Sequence, residues 1–219
     1  MKLRITSSVL AVLLLSTVAA AQTIYDNGPV NGETLGELIS GMYRGGVAFT
    51  SNTFTVSGGN ATVGGMSIWI WSFPTDHNPT AELIISSQAN GGGTVYFDQG
   101  VPFAESNCYA QGLGFLICEE TATWTDGPAL SNGTYWVTLK NGSFPSGDMM
   151  LWDINSGLGC TSPGCPSQAQ DNAGTIPSES FTILGTSGDS RSTTPKTTGL
   201  LMFGAGFVGL VGLVRHKLG

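Results

Sequence analysis

From residue 46 to residue 184 the chain alternates short apolar stretches with turn-forming clusters of Gly, Pro, Asn and Asp. Nine stretches have strand length and mixed or period-two patterning: GVAFTS, NTFTVS, MSIWIWSF, TAELIISS, TVYFDQ, GFLICEETATW, GTYWVTLK, MMLWDI and SFTIL. Successive side chains of a strand point to opposite faces, so such stretches bury one face and leave the other to water. Nine short strands with no interposed helical repeat predict an all-β chain folded as a single antiparallel β-sandwich, jelly-roll-like in form. One segment departs from the pattern. In ETLGELISGM, Leu35, Leu38, Ile39 and Met42 have helical spacing and predict a short helix, although Gly36 and Gly41 weaken it.

The two ends of the chain differ from this body. MKLRITSSVLAVLLLSTVAAAQT carries Lys2 and Arg4, an apolar run from Val9 to Leu15, and Ala19, Ala20 and Ala21 in the small-residue pattern that precedes a cleavage point. A signal peptide over residues 1–21 is expected, then a sandwich ectodomain over 22–186, a Ser/Thr/Gly linker over 187–198 and a membrane segment over 199–219. Gly199 to Val214 contains no charged residue. As a helix it would be roughly 24 Å long, a thin span that snorkelling by Arg215 and Lys217 would extend. Gly204, Gly206, Gly209 and Gly212 would each cost a water-exposed helix about 1 kcal/mol, so one C-terminal transmembrane helix is expected rather than a core helix. The basic cluster Arg215, His216 and Lys217 would stay on the cytoplasmic side and the body would be exported.

Charge narrows the partners. The whole chain has a formal net charge of −7. Between Gln22 and Thr198, four basic residues (Arg44, Lys140, Arg191, Lys196) face all fifteen acids, which leaves −11. That surface repels phosphate backbones, so no nucleic-acid partner is expected.

Cys108, Cys118, Cys160 and Cys165 are an even set in a chain expected to reach an oxidising compartment, which suggests two disulfides. Three pairings are open. Cys108 with Cys118 is favoured because Gly112 and Gly114 let CYAQGLGFLIC fold back with the cysteines opposed, and Cys160 with Cys165 follows. A zinc site is the rival, without CxxC spacing or supporting histidines.

At the C-terminus, Thr194 and Pro195, the Gly- and Leu-rich stretch Leu200 to Val214 and the terminal Arg215, His216 and Lys217 resemble the PEP-CTERM sorting signal of Gram-negative bacteria. A segment of this kind is also labelled the C-terminal domain of ice-binding proteins. The resemblance implies processing by an exosortase, an inner-membrane intermediate, and delivery to the cell surface or an extracellular polysaccharide matrix. Where that family usually has ProGluPro, this chain has Pro195, Lys196 and Thr197, ahead of Gly199, so a permanent single-pass anchor is the competing reading. YDNGPVNG, GTYWVTLKNG, GDMMLWDINSG and IPSESFTILG further resemble the ectodomain of exported PEP-CTERM proteins of acidobacterial type, a group without an assigned activity.

The side chains that carry chemistry are few. Trp69, Trp71 and Trp124 are candidate glycan contacts, since an indole face suits the apolar face of a pyranose; Trp69 and Trp71 share a strand face, and core filling is the competing role for these as for Trp136 and Trp152. Glycoside hydrolysis needs two carboxylates across a cleft. Glu119 and Glu120 point to opposite faces, and Glu82, Glu105, Asp148 and Asp153 could meet only through the fold. His77, beside Asp76, is the only body histidine, and no GxSxG elbow accompanies it. No cofactor is expected beyond a structural calcium ion, for which Asp26, Asp153 and Asp171 are candidate ligands, each with a nearby Asn. Thr121, Thr123 and Thr125 form a single short ladder, small for an ice-binding plane. The expected function is therefore a non-catalytic exported sandwich with a structural or glycan-interacting role, and the alternatives are an exported glycan-active enzyme and an ice-binding protein.

Overall fold

A computed structural model describes residues 21–30, 35–43, 46–155 and 167–187. The expected signal peptide through residue 20, the linker from residue 188, the C-terminal segment with Pro195, Lys196, Gly199, Arg215, His216 and Lys217, and the Cys160 and Cys165 pair lie outside the described residues. Among the described residues no helix is long and apolar enough to cross a membrane.

The strands in chain order are β1 (Gln22–Asp26), β2 (Gly36–Leu38), β3 (Met42–Tyr43), β4 (Gly46–Val47), β5 (Phe49–Val56), β6 (Ala61–Ser72), β7 (Thr80–Gln88) and β8 (Gly92–Pro102). They continue as β9 (Ala104–Gln111), β10 (Phe115–Thr123), β11 (Ala129–Leu130), β12 (Gly133–Ser143), β13 (Leu151–Asp153), β14 (Ala169–Asp171), β15 (Gly174–Ile176) and β16 (Phe181–Ser187). Every pairing among them is antiparallel. The described residues are all-β, as the alternation predicts. An eight-stranded sheet is built on β1-β16-β6-β10-β9, with β11, β13 and β2 attached through β6, and a six-stranded sheet runs β15-β14-β5-β12-β7-β8. Beside them, β3 and β4 form a separate two-stranded pair.

The twelve-residue β6 is the spine of the larger sheet because it is long enough to take different partners along each edge. On one edge β16 pairs with its first part and β13 with Ile70 and Trp71. On the other edge it pairs with β11 and then β10. The register slips between Leu184 and Gly185, which leaves Gly64 of β6 as an extra residue and lets Val63 and Met66 both face inward. At Gly185 a side chain is excluded outright, since a Cβ there would stand 2.0 Å from the carbonyl oxygen of Thr62.

The two large sheets share one apolar core. Met66, Ile68, Ile70, Trp152, Phe181 and Ile183 of the larger sheet meet Phe54, Leu83, Ile85, Val137 and Leu139 of the other, all buried. Each such side chain contributes about 1.5 to 3 kcal/mol on leaving water. At one end the interior turns polar. Asn27 donates to the carbonyl of Glu179 at 2.6 Å and accepts from the backbone of Ser167 at 3.0 Å, and Asn52 donates to the Glu179 carboxyl. These contacts tie β5 to the chain just before β16. Burial holds the Glu179 carboxyl well above its ordinary pKa, against the lowering effect of Asn52.

The helix expected over ETLGELISGM is not formed. Gly36–Leu38 is instead a strand paired with β13, and Ile39 continues the contact with a backbone bond from its N–H to Met150 at 3.0 Å. Gly36 fits there because it lacks a side chain: a Cβ would already stand 3.1 Å from that of Leu151 and 3.2 Å from the Trp71 ring. The apparent helical stripe is split, with Leu35 57% exposed and Ile39 buried.

Candidate functional site

On β6, Met66, Ile68 and Ile70 go to the core, so Ser67, Trp69 and Trp71 face outward by strand alternation. The register extends that outward row across the sheet: Trp71 is flanked by Ile117 of β10 and Leu151 of β13, Ile117 lies opposite Tyr109 of β9, and Leu151 lies opposite Leu38 of β2. Five strands at the usual spacing make this row about 19 Å long. Aromatic pairs form on either side of it. Trp69 and Tyr109 have centroids 6.0 Å apart, Trp71 meets Phe115 edge-on at 5.6 Å, and Phe73 stacks on Phe115 at 4.6 Å. Ile117 is completely buried although it points away from the core, so this aromatic layer has an interior of its own. Phe73 is 38% exposed and Trp69 and Tyr109 are half-buried, so the layer also presents rings to solvent.

Two carboxylates stand beside Trp69. Glu119 lies opposite it on β10, and its oxygens accept from Ser67 at 2.8 Å and Asn107 at 2.6 Å. On the other edge, Asp153 is one step beyond the paired residues Leu151 and Trp152, level with Trp69. Its Oδ1 accepts the Trp71 indole N–H at 2.6 Å, and its Oδ2 is buried with no hydrogen-bond partner. Burial raises the Asp153 carboxyl to about 7, partly offset by the Trp71 bond. The Tyr109 hydroxyl is also buried and unpartnered, and its pKa is raised by burial and then by the nearby charge of Asp153. Buried polar atoms without partners are uncommon enough that two on one sheet face mark a place to look for a ligand.

The remaining candidates are dispersed. Trp124 packs against the core, stacked on Phe97 at 4.9 Å with its indole N–H on the Val63 carbonyl at 3.0 Å. Trp152 is a core residue. Asp26 and Asp171 serve their own turns, accepting from Gly28 at 2.8 Å and from Ala173 and Gly174 at 2.6 and 3.0 Å. The structure does not bring Asp26, Asp153 and Asp171 into one ligand set. Among the described residues, three potential metal-binding atoms come within 4.8 Å of one another only at Glu105, Cys108 and Cys118, and the two sulfurs are joined as a disulfide.

Glu120, opposite Ile68, faces inward while Glu119 faces out, as alternation requires. Both Glu120 oxygens are buried without partners, and burial, with the Glu105 charge, raises its pKa to about 8. Glu82 belongs to the other sheet, where Lys140 at 2.8 Å holds its carboxyl below the ordinary range. Asp148 lines a shallow cavity of about 330 Å³ with Ser40, Ser143 and Met149. His77 is exposed and lies 3.3 Å from Glu105, while Asp76 turns away to bond Phe73 and Ser146. The threonine ladder is shorter than expected: β10 ends at Thr123, and Thr125 belongs to the following turn.

The site residues absent from the sequence reading are Phe73, Tyr109, Phe115 and Glu119 as neighbours of Trp69 and Trp71. The signal for Tyr109 was within reach, because a hairpin that opposes Cys108 and Cys118 also brings Tyr109 level with Ile117. No protein-family model matches the chain, and no curated protein matches it.

Proposed function

We propose that the chain is an exported, non-catalytic β-sandwich, jelly-roll-like in its winding, whose outward aromatic face holds an extracellular polysaccharide. The observation that carries this reading is a pair of aromatic clusters, Trp69 with Tyr109 and the buried Trp71 with Phe73 and Phe115, on the outer side of a sheet whose inner side already fills the core. Core packing accounts for the inward residues of β6 but not for this second layer. Aromatic side chains that keep one face or edge in water suit ligands with both apolar and hydroxylated faces. The N-terminal segment and the PEP-CTERM-like C-terminus support export, passage through an inner-membrane intermediate carrying one transmembrane helix, exosortase processing, and residence at the cell surface or in the matrix.

The test is binding of the full chain, in a polyoxyethylene detergent free of sugar headgroups, to a panel of polysaccharides. Retention on at least one of them, weakened tenfold or more by Trp69→Ala and by Tyr109→Ala but unchanged by Trp136→Ala on the other sheet, is expected. Release of reducing sugar would replace the binding role with an enzyme, thermal hysteresis would indicate ice binding, and retention on no polysaccharide would end the glycan reading.

A further inference from the structure

The glycan reading leaves the two carboxylates beside Trp69 without an explanation. Asp153 and Glu119 flank it from neighbouring strands, with backbones about 10 Å apart across β6. Among the described residues neither has a basic partner. Lys140 is the only Lys or Arg among the described residues, and it is engaged with Glu82 on the other sheet. Asp153 is fully buried, yet its Oδ2 has no partner, while the neighbouring Tyr109 hydroxyl is unpartnered too. A sugar hydroxyl would satisfy these atoms as hydrogen-bonding groups but would leave the negative charge of Glu119, and of Asp153 in its ionised form, uncompensated. An ammonium group does both: it supplies three donors and a positive charge, and it is attracted to the faces of surrounding aromatic rings.

We propose that this face selects a polysaccharide carrying free amino groups, with one amino sugar against Trp69 and its ammonium directed between Asp153 and Glu119. The proposal rests on the glycan-binding reading and narrows it to a ligand class. Glu119, partly exposed and oriented by Ser67 and Asn107, is the outer contact. Asp153 is the inner one, buried on the other flank of Trp69 with its Oδ2 unpartnered. An N-acetylated sugar would bring no charge and a bulkier group to the same place.

The experiment compares binding of the full chain, in the same detergent, to a fully deacetylated glucosamine oligomer and to its fully acetylated counterpart of equal length. The deacetylated oligomer should bind at least tenfold more tightly. Asp153→Asn and Glu119→Gln should each reduce that preference severalfold, while Asp126→Asn, an exposed acid in the turn after β10, should leave it intact. Circular dichroism checks folding, and if Asp153→Asn is unfolded the test is carried by Glu119→Gln, whose side chain lies outside the core. Equal binding of both oligomers, still dependent on Trp69, would overturn the amine proposal and leave the glycan reading standing. Binding of neither oligomer nor any other polysaccharide would end both. A preference that survives Glu119→Gln and falls equally with Asp126→Asn would reduce it to general charge attraction, and equal binding of a linear polyamine would remove the sugar from the recognition.

Discussion

Trp71 donates its indole N–H to Asp153 Oδ1 at 2.6 Å, joining β6 to β13 through a side-chain bond on the outer face of the larger sheet. Among the described residues it is the only hydrogen bond to the Asp153 carboxyl, whose Oδ2 has none. Trp71→Phe keeps an aromatic ring and removes the donor. A bond to a charged acceptor is worth about 1.5 to 3 kcal/mol and one to a neutral acceptor about 1. With the Asp153 carboxyl raised to about 7, the loss of stability in Trp71→Phe should be larger at pH 8 than at pH 5. Denaturant midpoints at the two pH values measure this, and an equal loss at both would show that the bond does not respond to the charge on Asp153.

The buried acids predict how stability depends on pH. Glu120 rises from its ordinary 4.5 to about 8 and Asp153 from 3.8 to about 7, both first through burial; Glu179 moves in the same direction. An acid whose pKa is raised on folding holds its proton more tightly in the native state. Between the unfolded and folded values the native state therefore binds more protons, and stability falls as pH rises. The window runs from about pH 4 to 8, above the range in which the lowered pKa of Glu82 acts in the opposite sense. The protein should be more stable at pH 5 than at pH 8. Glu120→Gln should flatten part of that slope, removing up to about 4 kcal/mol of the loss between pH 5 and pH 8. A urea midpoint that climbs from pH 5 to pH 8 would contradict the assignment, as would a Glu120→Gln profile parallel to the parent.

Cys108 and Cys118 are joined across β9 and β10, ten residues apart in sequence. Closing so short a loop in the unfolded chain is worth about 3 kcal/mol in the chain-entropy account. The double substitution Cys108→Ser with Cys118→Ala should lower stability by about that amount and loosen the edge strand that carries Tyr109. Peptide mapping without reductant should recover the Cys108–Cys118 link. Free thiols at both positions in exported protein would argue against the bond and against the oxidising compartment.

The strands were legible because each has one face against the core, so apolar residues recur at the right spacing in MSIWIWSF and GTYWVTLK. The Cys108–Cys118 hairpin was legible for a local reason, since Gly112 and Gly114 sit at its turn. What the pattern hides is a second apolar layer. Trp69 and Trp71 alternate with Ile68 and Ile70, so β6 is apolar on both faces and its sequence cannot distinguish a core tryptophan from an outward one. Asp153 was hidden as well. Its environment depends on Trp71, which is distant in sequence and reaches it only through the pairing of β13 with β6. The ETLGELISGM segment misled because its apolar spacing suits a helix, while β13 offers it an open edge and Gly36 fits closely against that edge.

Whether TTPKTTGLLMFGAGFVGLVGLVRHKLG is a sorting signal or a permanent anchor would decide where the aromatic face works. A sorting signal and a permanent anchor both require Gly199 to Val214 to enter the bilayer, so neither tolerates a charge at its middle. Gly206→Asp should impair membrane engagement, at a cost of roughly 2.5 to 3.5 kcal/mol near a helix centre. The two readings part at the next step. Processing between Pro195 and Thr198 would free the sandwich from the membrane and let its aromatic face reach polysaccharide beyond the cell, whereas an anchor would confine it to the inner membrane surface. Intact-mass analysis of protein from matched strains with and without an exosortase separates them. Processing predicts a product that lacks Leu200 to Gly219 in the parent strain and keeps it in the exosortase-deficient one; the same uncut mass in both strains would leave the anchor.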